Sequence, residues 1–161
     1  MDITILKSYS ANKNSLERHR LRNPEGMSLT EIQELETALN GGNLFPKAFR
    51  EYLYIGGRFN ALGFNTGLGD FVGLNKFYKN KIKARGLKID RPCLFIDNFE
   101  GEIGMFFYLD EITDDPVLWN CSVNEDYDSD DGKAIWKVPH PNFSTIINDA
   151  VKAALGGYSL W

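Results

Sequence analysis

The side chains of this 161-residue chain that are able to do chemistry are few, and their spacing argues against each reaction in turn. Asp126, Asp128 and Asp130 alternate like the oxygen ligands of a calcium loop. Such a loop needs a glycine at its sixth position for the turn and a glutamate at its twelfth to close the coordination shell. Asp131 and Lys137 stand there instead, so an EF-hand is rejected. A solvated acidic loop is the expectation, with a loose calcium site as the lesser alternative. Gly67-Leu68-Gly69-Asp70-Phe71-Val72-Gly73 approximates a dinucleotide fingerprint. It is one residue too long and lacks a clear preceding strand, so its glycines read as turn glycines. Cys93 and Cys121 have no metal-ligand spacing and are flanked by strand-like sequence, which suits buried free thiols; a redox pair would need the fold to join them. His19 and His140 have no serine or cysteine placed by sequence to partner them, and two histidines do not make a His-rich metal site. Walker lysine and nucleophile-elbow motifs do not occur. The expectation is therefore a non-enzyme with no catalytic residue, no metal and no cofactor.

Charge is more informative. The net charge is −4, but residues 1–90 hold 14 Lys and Arg against 9 Asp and Glu, whereas residues 91–161 hold 4 against 13. The 41 residues from Pro92 to Gly132 contain no lysine or arginine. Glu100, Glu102, Asp110, Glu111, Asp114 and Asp115 fall there at strand ends and turns, with Tyr108 and Trp119 expected to be exposed among them. A surface of one sign with aromatic anchors suits a basic protein partner, because charge speeds encounter and aromatic side chains hold the complex. A merely solubilising surface is the plain alternative. Lys76, Lys79, Lys81, Lys83 and Lys88, with Arg85 and Arg91, make a basic stripe around Phe77 and Tyr78. Nucleic-acid contact through it is disfavoured by the acidic total.

The elements that position these groups follow from periodicity and caps. An apolar fraction of 43% with 13% aromatics is enough for one core-forming domain over residues 1–161. No apolar run approaches the roughly 20 residues that span a bilayer. The amino terminus lacks the basic start and cleavage site of a secretory signal, so the cytoplasm is the expected compartment. A short helix or irregular lead-in precedes the turn Asn23-Pro24-Glu25-Gly26. Ser28 and Glu31 form a capping box, with Met27 and Ile32 as its staple. Ile32, Leu35 and Leu39 make a buried stripe, with Glu31, Glu34 and Glu36 on other faces. Gly41-Gly42 stops this helix, Pro46 opens a second at its first position, Phe49 and Leu53 bury it, and Gly56 or Gly57 ends it. The two helices are expected near 29–39 and 46–55. One or two short strands are expected between Gly56 and Gly73, and a third helix over 74–85. Strands follow at 93–97, 103–109, 117–119 and 134–138, and a last helix runs from Asn142 to Gly156-Gly157. Helices, then antiparallel strands, then a closing helix define an α+β domain, a mainly antiparallel sheet with helices packed against it.

The order Leu39, Leu44-Phe45-Pro46, Phe49, Tyr52-Leu53, Gly56-Gly57 resembles the opening signature of the SUKH superfamily, the Smi/Knr cell-wall-assembly-regulator-like domains. The proline-led strand 92–97, the glycine turn into 101–109, Asp115-Pro116-Val117-Leu118 and the helix after Phe143 are similar too. The likeness covers about 28–155. It implies a non-enzymatic protein-binding module. Bacterial members of that superfamily resemble immunity proteins that neutralise a cognate toxin, often a nuclease; fungal members resemble scaffolds regulating cell-wall glucan synthesis. For a small acidic domain the immunity reading is preferred, because an acidic inhibitor mimics the phosphates held by a nuclease cleft. A small-ligand-binding protein using the segment Phe59–Phe71 is the rival from another class.

Overall fold

The computed structural model describes residues 1–16, 22–64, 70–139 and 142–158. Ser28 starts the helical hairpin as its spacing predicts. Its hydroxyl accepts the Glu31 N–H while the Glu31 carboxylate accepts the Ser28 N–H at 2.8 Å. Helix α2 (Leu29–Asn40) ends on Gly41, whose φ of 61° is the left-handed conformation that glycine adopts without strain. Helix α3 (Lys47–Gly56) follows. Pro46 is its N-cap rather than its first residue, because its ψ of 140° is extended. Upstream, α1 (Lys7–Asn12) runs into a 3-10 turn, Lys13–Ser15.

Ile32, Phe49 and Leu53 are buried, while Leu35 and Leu39 are only half-buried at the edge of the core. Leu35→Ala therefore removes less packing than a core leucine would. Glu36, expected on a face other than the buried stripe, is itself buried: its Oε1 accepts the Phe45 N–H at 2.8 Å and lies 2.9 Å from Arg50 Nε. The orphan amide at the hairpin turn draws that carboxylate inward.

The third helix, α4 (Phe71–Ala84), begins three residues earlier than its apolar spacing suggests, because the Asp70 side chain caps it by accepting the Gly73 N–H at 2.6 Å. Strands β1 (Cys93–Phe99), β2 (Ile103–Tyr108), β3 (Trp119–Ser122) and β4 (Ile135–Lys137) form an antiparallel meander in that order, and α5 (Phe143–Leu155) closes the domain. The third strand lies later than its predicted 117–119. Among the described residues, 56–73 holds no strand, only an isolated bridge from Phe59 to Glu25. The Asn60 carboxamide organises a turn there instead, with its oxygen accepting the Leu62 N–H at 2.8 Å and its Nδ2 donating to the Phe64 carbonyl at 2.8 Å.

The sheet is packed on both faces. Phe95, Phe106 and Trp119 are register partners and share one face, and Tyr78 of α4 stacks on Phe95 at 4.7 Å. Gly104 permits this approach, because a Cβ there would sit 2.6 Å from the Phe95 ring and 2.7 Å from Tyr78. A bulge between Phe95 and Asp97 is tied to α4 by Asn75, whose carboxamide bonds both the N–H and the carbonyl of Phe95 at 2.9 and 2.8 Å. Leu94 and Phe107 point to the opposite face, where Phe107 meets Phe49 of α3 at 5.3 Å. The whole is one α+β domain, a four-stranded antiparallel sheet with helices against it. No helix among the described residues is long and apolar enough to cross a membrane.

The helix caps carry a measurable pH dependence. Hydrogen bonds from Arg58 and Ser28 hold the Glu31 carboxyl at about 2, below its ordinary 4.5. A depressed carboxylate stabilises the fold above its unfolded value and loses that contribution as pH falls. Thermal midpoints are expected to drop from pH 4.5 toward 2, and to drop less steeply in Glu31→Gln. Equal slopes in the two proteins would contradict this.

Candidate protein-binding site

The eight residues expected to form one acidic face separate along β2. Glu100 and Glu102 lie in the β1–β2 turn, whereas Tyr108, Asp110, Glu111, Asp114 and Asp115 lie at or beyond the far end of β2. Six strand residues at about 3.4 Å each put some 20 Å between the groups. Trp119 pairs with Phe106 on β3.

The far group is largely committed to the fold. Arg91 donates to both Asp110 oxygens, with contacts of 2.7 and 3.0 Å, and to Glu111 at 3.1 Å. These bonds hold the Asp110 carboxyl below its ordinary value. The same guanidinium lies 3.8 Å over the Tyr108 ring, which meets Trp119 edge-on at 5.6 Å. Tyr108 is therefore buried and Trp119 half-buried, with its indole Nε1 enclosed. Neither is the exposed aromatic expected from sequence, because a cation just before the acidic stretch folds back over it. Asp115 accepts the Ser144 N–H at 2.9 Å and its hydroxyl at 2.6 Å, anchoring the start of α5. Asp114 remains exposed, and its carbonyl accepts the Ala48 N–H at 2.8 Å.

The near group keeps its carboxylates available. No ion pair to Glu100 or Glu102 is formed among the described residues. The turn is tight: Glu102 N–H returns to the Phe99 carbonyl at 2.9 Å, and Glu100 has a φ of 51°. A non-glycine side chain in that region stores backbone strain. Phe99, at the end of β1, is 51% exposed beside it. Phe99 falls between the expected strands 93–97 and 103–109 and is not among the residues expected from sequence to form the partner face. The cleft beneath has a volume of about 460 Å³. Asp97, Asn98, Glu100 and Asn120 supply its polar atoms, Phe99 and Met105 its apolar surface, and among the described residues no lysine or arginine lines it. Glu100→Asn is expected to raise stability by about 0.5–1 kcal/mol, because asparagine tolerates the left-handed conformation better. Chemical denaturation checks this, and a loss of stability would show that the Glu100 side chain supports the fold.

The remaining candidates are placed as follows. Asp128 is bonded through both oxygens to Arg85 at 2.8 and 2.7 Å, so the middle of the Asp126–Asp130 alternation is engaged. Among the described residues no group of three His, Cys, Asp or Glu is arranged to hold a metal ion. Burial raises the Cys93 thiol to about 11 and Cys121 to about 12, and β2 lies between their strands. His19, His140, Arg18, Arg20 and 65–69 of the glycine-rich segment lie outside the described residues. Lys76, Lys79, Lys81 and Lys83 are exposed on α4, but Tyr78 of that stripe is buried and Arg85 and Arg91 are paired. In the Phe59–Phe71 segment Phe64 and Phe71 are core residues, and a second cleft of about 460 Å³ opens beside Asn60 and Asp70. Comparisons with family models, curated proteins and solved structures find no match for this chain.

Proposed function

We propose that this protein is a non-enzymatic binding module that docks a basic protein partner through the β1–β2 turn, in the manner of a toxin-neutralising immunity protein. The supporting observation is the exposed Phe99 beside Glu100 and Glu102, which form no ion pair among the described residues, over a cleft whose described lining holds no lysine or arginine. An exposed aromatic ring gives a partner apolar area to bury, and two carboxylates on a rigid turn steer and orient its cations. The strain at Glu100 fits this reading, since strained backbone is retained where a side chain is needed for recognition. The resemblance of the chain to the SUKH superfamily supplies the expected partner, a cationic toxin such as a nuclease, and its other branch supplies the rival role of a cell-wall-synthesis scaffold.

The experiment is co-expression with the product of the neighbouring gene, expected on this proposal to be a cationic toxin. The wild-type protein is expected to restore growth, and Phe99→Asp combined with Glu100→Gln and Glu102→Gln to lose that protection while folding normally. Protection unaffected by the triple variant would refute the proposed surface. A wild-type protein that neither protects against that gene product nor binds it would refute the immunity role.

A further inference from the structure

A second surface lies at the other end of the sheet, and it differs in character from the turn. A groove of about 710 Å³ runs between the segment 44–50 and the segment 109–114. Phe45, Pro46 and Leu109 line it. The hydrogen bond from Ala48 N–H to the Asp114 carbonyl, 2.8 Å, joins the two walls. Each wall carries one large apolar side chain that the fold leaves in solvent: Leu44, 66% exposed, and Ile112, fully exposed. A monomer gains nothing by holding an isoleucine and a leucine in water on either side of an apolar groove. The walls also differ in sign. Lys47 and Arg50 stand on the first, Glu111 and Asp114 on the second; Arg50 is already paired with Glu36 and Glu111 with Arg91, which leaves Lys47 and Asp114 as the complementary charges. Lys47 and Asp114 form no ion pair within the described residues.

That arrangement is self-complementary. A two-fold axis along the groove turns a second copy so that its acidic wall meets the basic wall of the first, and its Ile112 meets the first copy's Leu44. The same contacts then recur in reverse, as an isologous interface requires. A partner with a surface of one sign would meet like charge on one wall. We propose that this groove is a two-fold interface between two copies of the chain, with Ile112 packed on Leu44 and Asp114 paired with Lys47 across it. The interface leaves the β1–β2 turn of each copy uncovered, so it is independent of the partner surface proposed above.

Sedimentation velocity over a concentration series tests this on the full chain. Wild type is expected to shift from monomer to dimer as concentration rises. Ile112→Asp touches no core contact and is expected to raise the dissociation constant about tenfold or more. Lys47→Asp and Asp114→Lys should each weaken the dimer, since each sets like charges against each other. The double variant should recover to near the wild-type constant, because the exchange restores opposite charges across the axis. A wild-type chain that stays monomeric at its highest soluble concentration would overturn the proposal. So would a dimer indifferent to Ile112→Asp, or single charge reversals that the double variant fails to rescue.

Discussion

Replacing Glu51 with leucine is expected to destabilise the fold by on the order of 3–5 kcal/mol. This fully buried carboxylate of α3 accepts the backbone N–H groups of Thr4, Ile5 and Leu6 at 2.8, 2.9 and 2.7 Å. It thereby ties the segment leading into α1 to α3, from 45 residues or more away in sequence. Leucine would fill the space and leave three amides without an acceptor at a partly buried site, which costs far more than the lost bonds themselves. Glu51→Gln keeps one carbonyl acceptor and should lose about half as much. Urea denaturation gives the totals, and hydrogen exchange at Leu6 reports whether the amino-terminal segment opens first. A loss below about 1 kcal/mol in Glu51→Leu would mean that water replaces the carboxylate and that the segment is only loosely docked.

Phe49→Ala should cost a comparable amount, about 3–5 kcal/mol. The Phe49 ring is the junction of the core, with centroid distances of 5.4 Å to Phe45, 5.6 Å to Phe71, 5.3 Å to Phe107 and 5.7 Å to Phe143. Those neighbours come from the hairpin turn, α4, β2 and α5, and rigid rings on separate elements cannot collapse into the space together. Phe49→Leu, which keeps most of the volume, should cost distinctly less. Denaturation midpoints at constant m-value decide the matter, and equal losses in the two variants would mean that aromatic geometry rather than volume holds this junction.

The two predictions mark where sequence reading succeeds and where it stops. The hairpin was legible because its signals are local: Ser28 and Glu31 lie three residues apart, Gly41 ends the helix it follows, and Phe49 and Leu53 share a face. The antiparallel order was legible from the change in period after Pro92. Glu36 and Glu51 were not, since a carboxylate drawn inside by a distant amide leaves no periodic trace. The strands expected before Gly73 failed for a related reason, because Asn60 satisfies the local backbone with its own side chain. On the surface, sequence proximity misled. Glu102 and Asp110 are near in sequence yet sit at opposite ends of a strand, and Arg91, just outside the acidic run, covers Tyr108. A local reading could have found Phe99, since Phe99-Glu100-Gly101 carries the composition of a tight turn that presents its side chains outward.

The most direct test of the proposed docking surface is the kinetics of binding to the product of the neighbouring gene, at two salt concentrations. Association is expected to slow as salt rises and as Glu100 and Glu102 are changed to glutamine, since screening acts over about 8 Å at physiological salt. Phe99→Ala is expected to speed dissociation about tenfold or more, with little change in the association rate. Association indifferent to salt and to both carboxylates, together with unchanged dissociation in Phe99→Ala, would contradict the proposed surface.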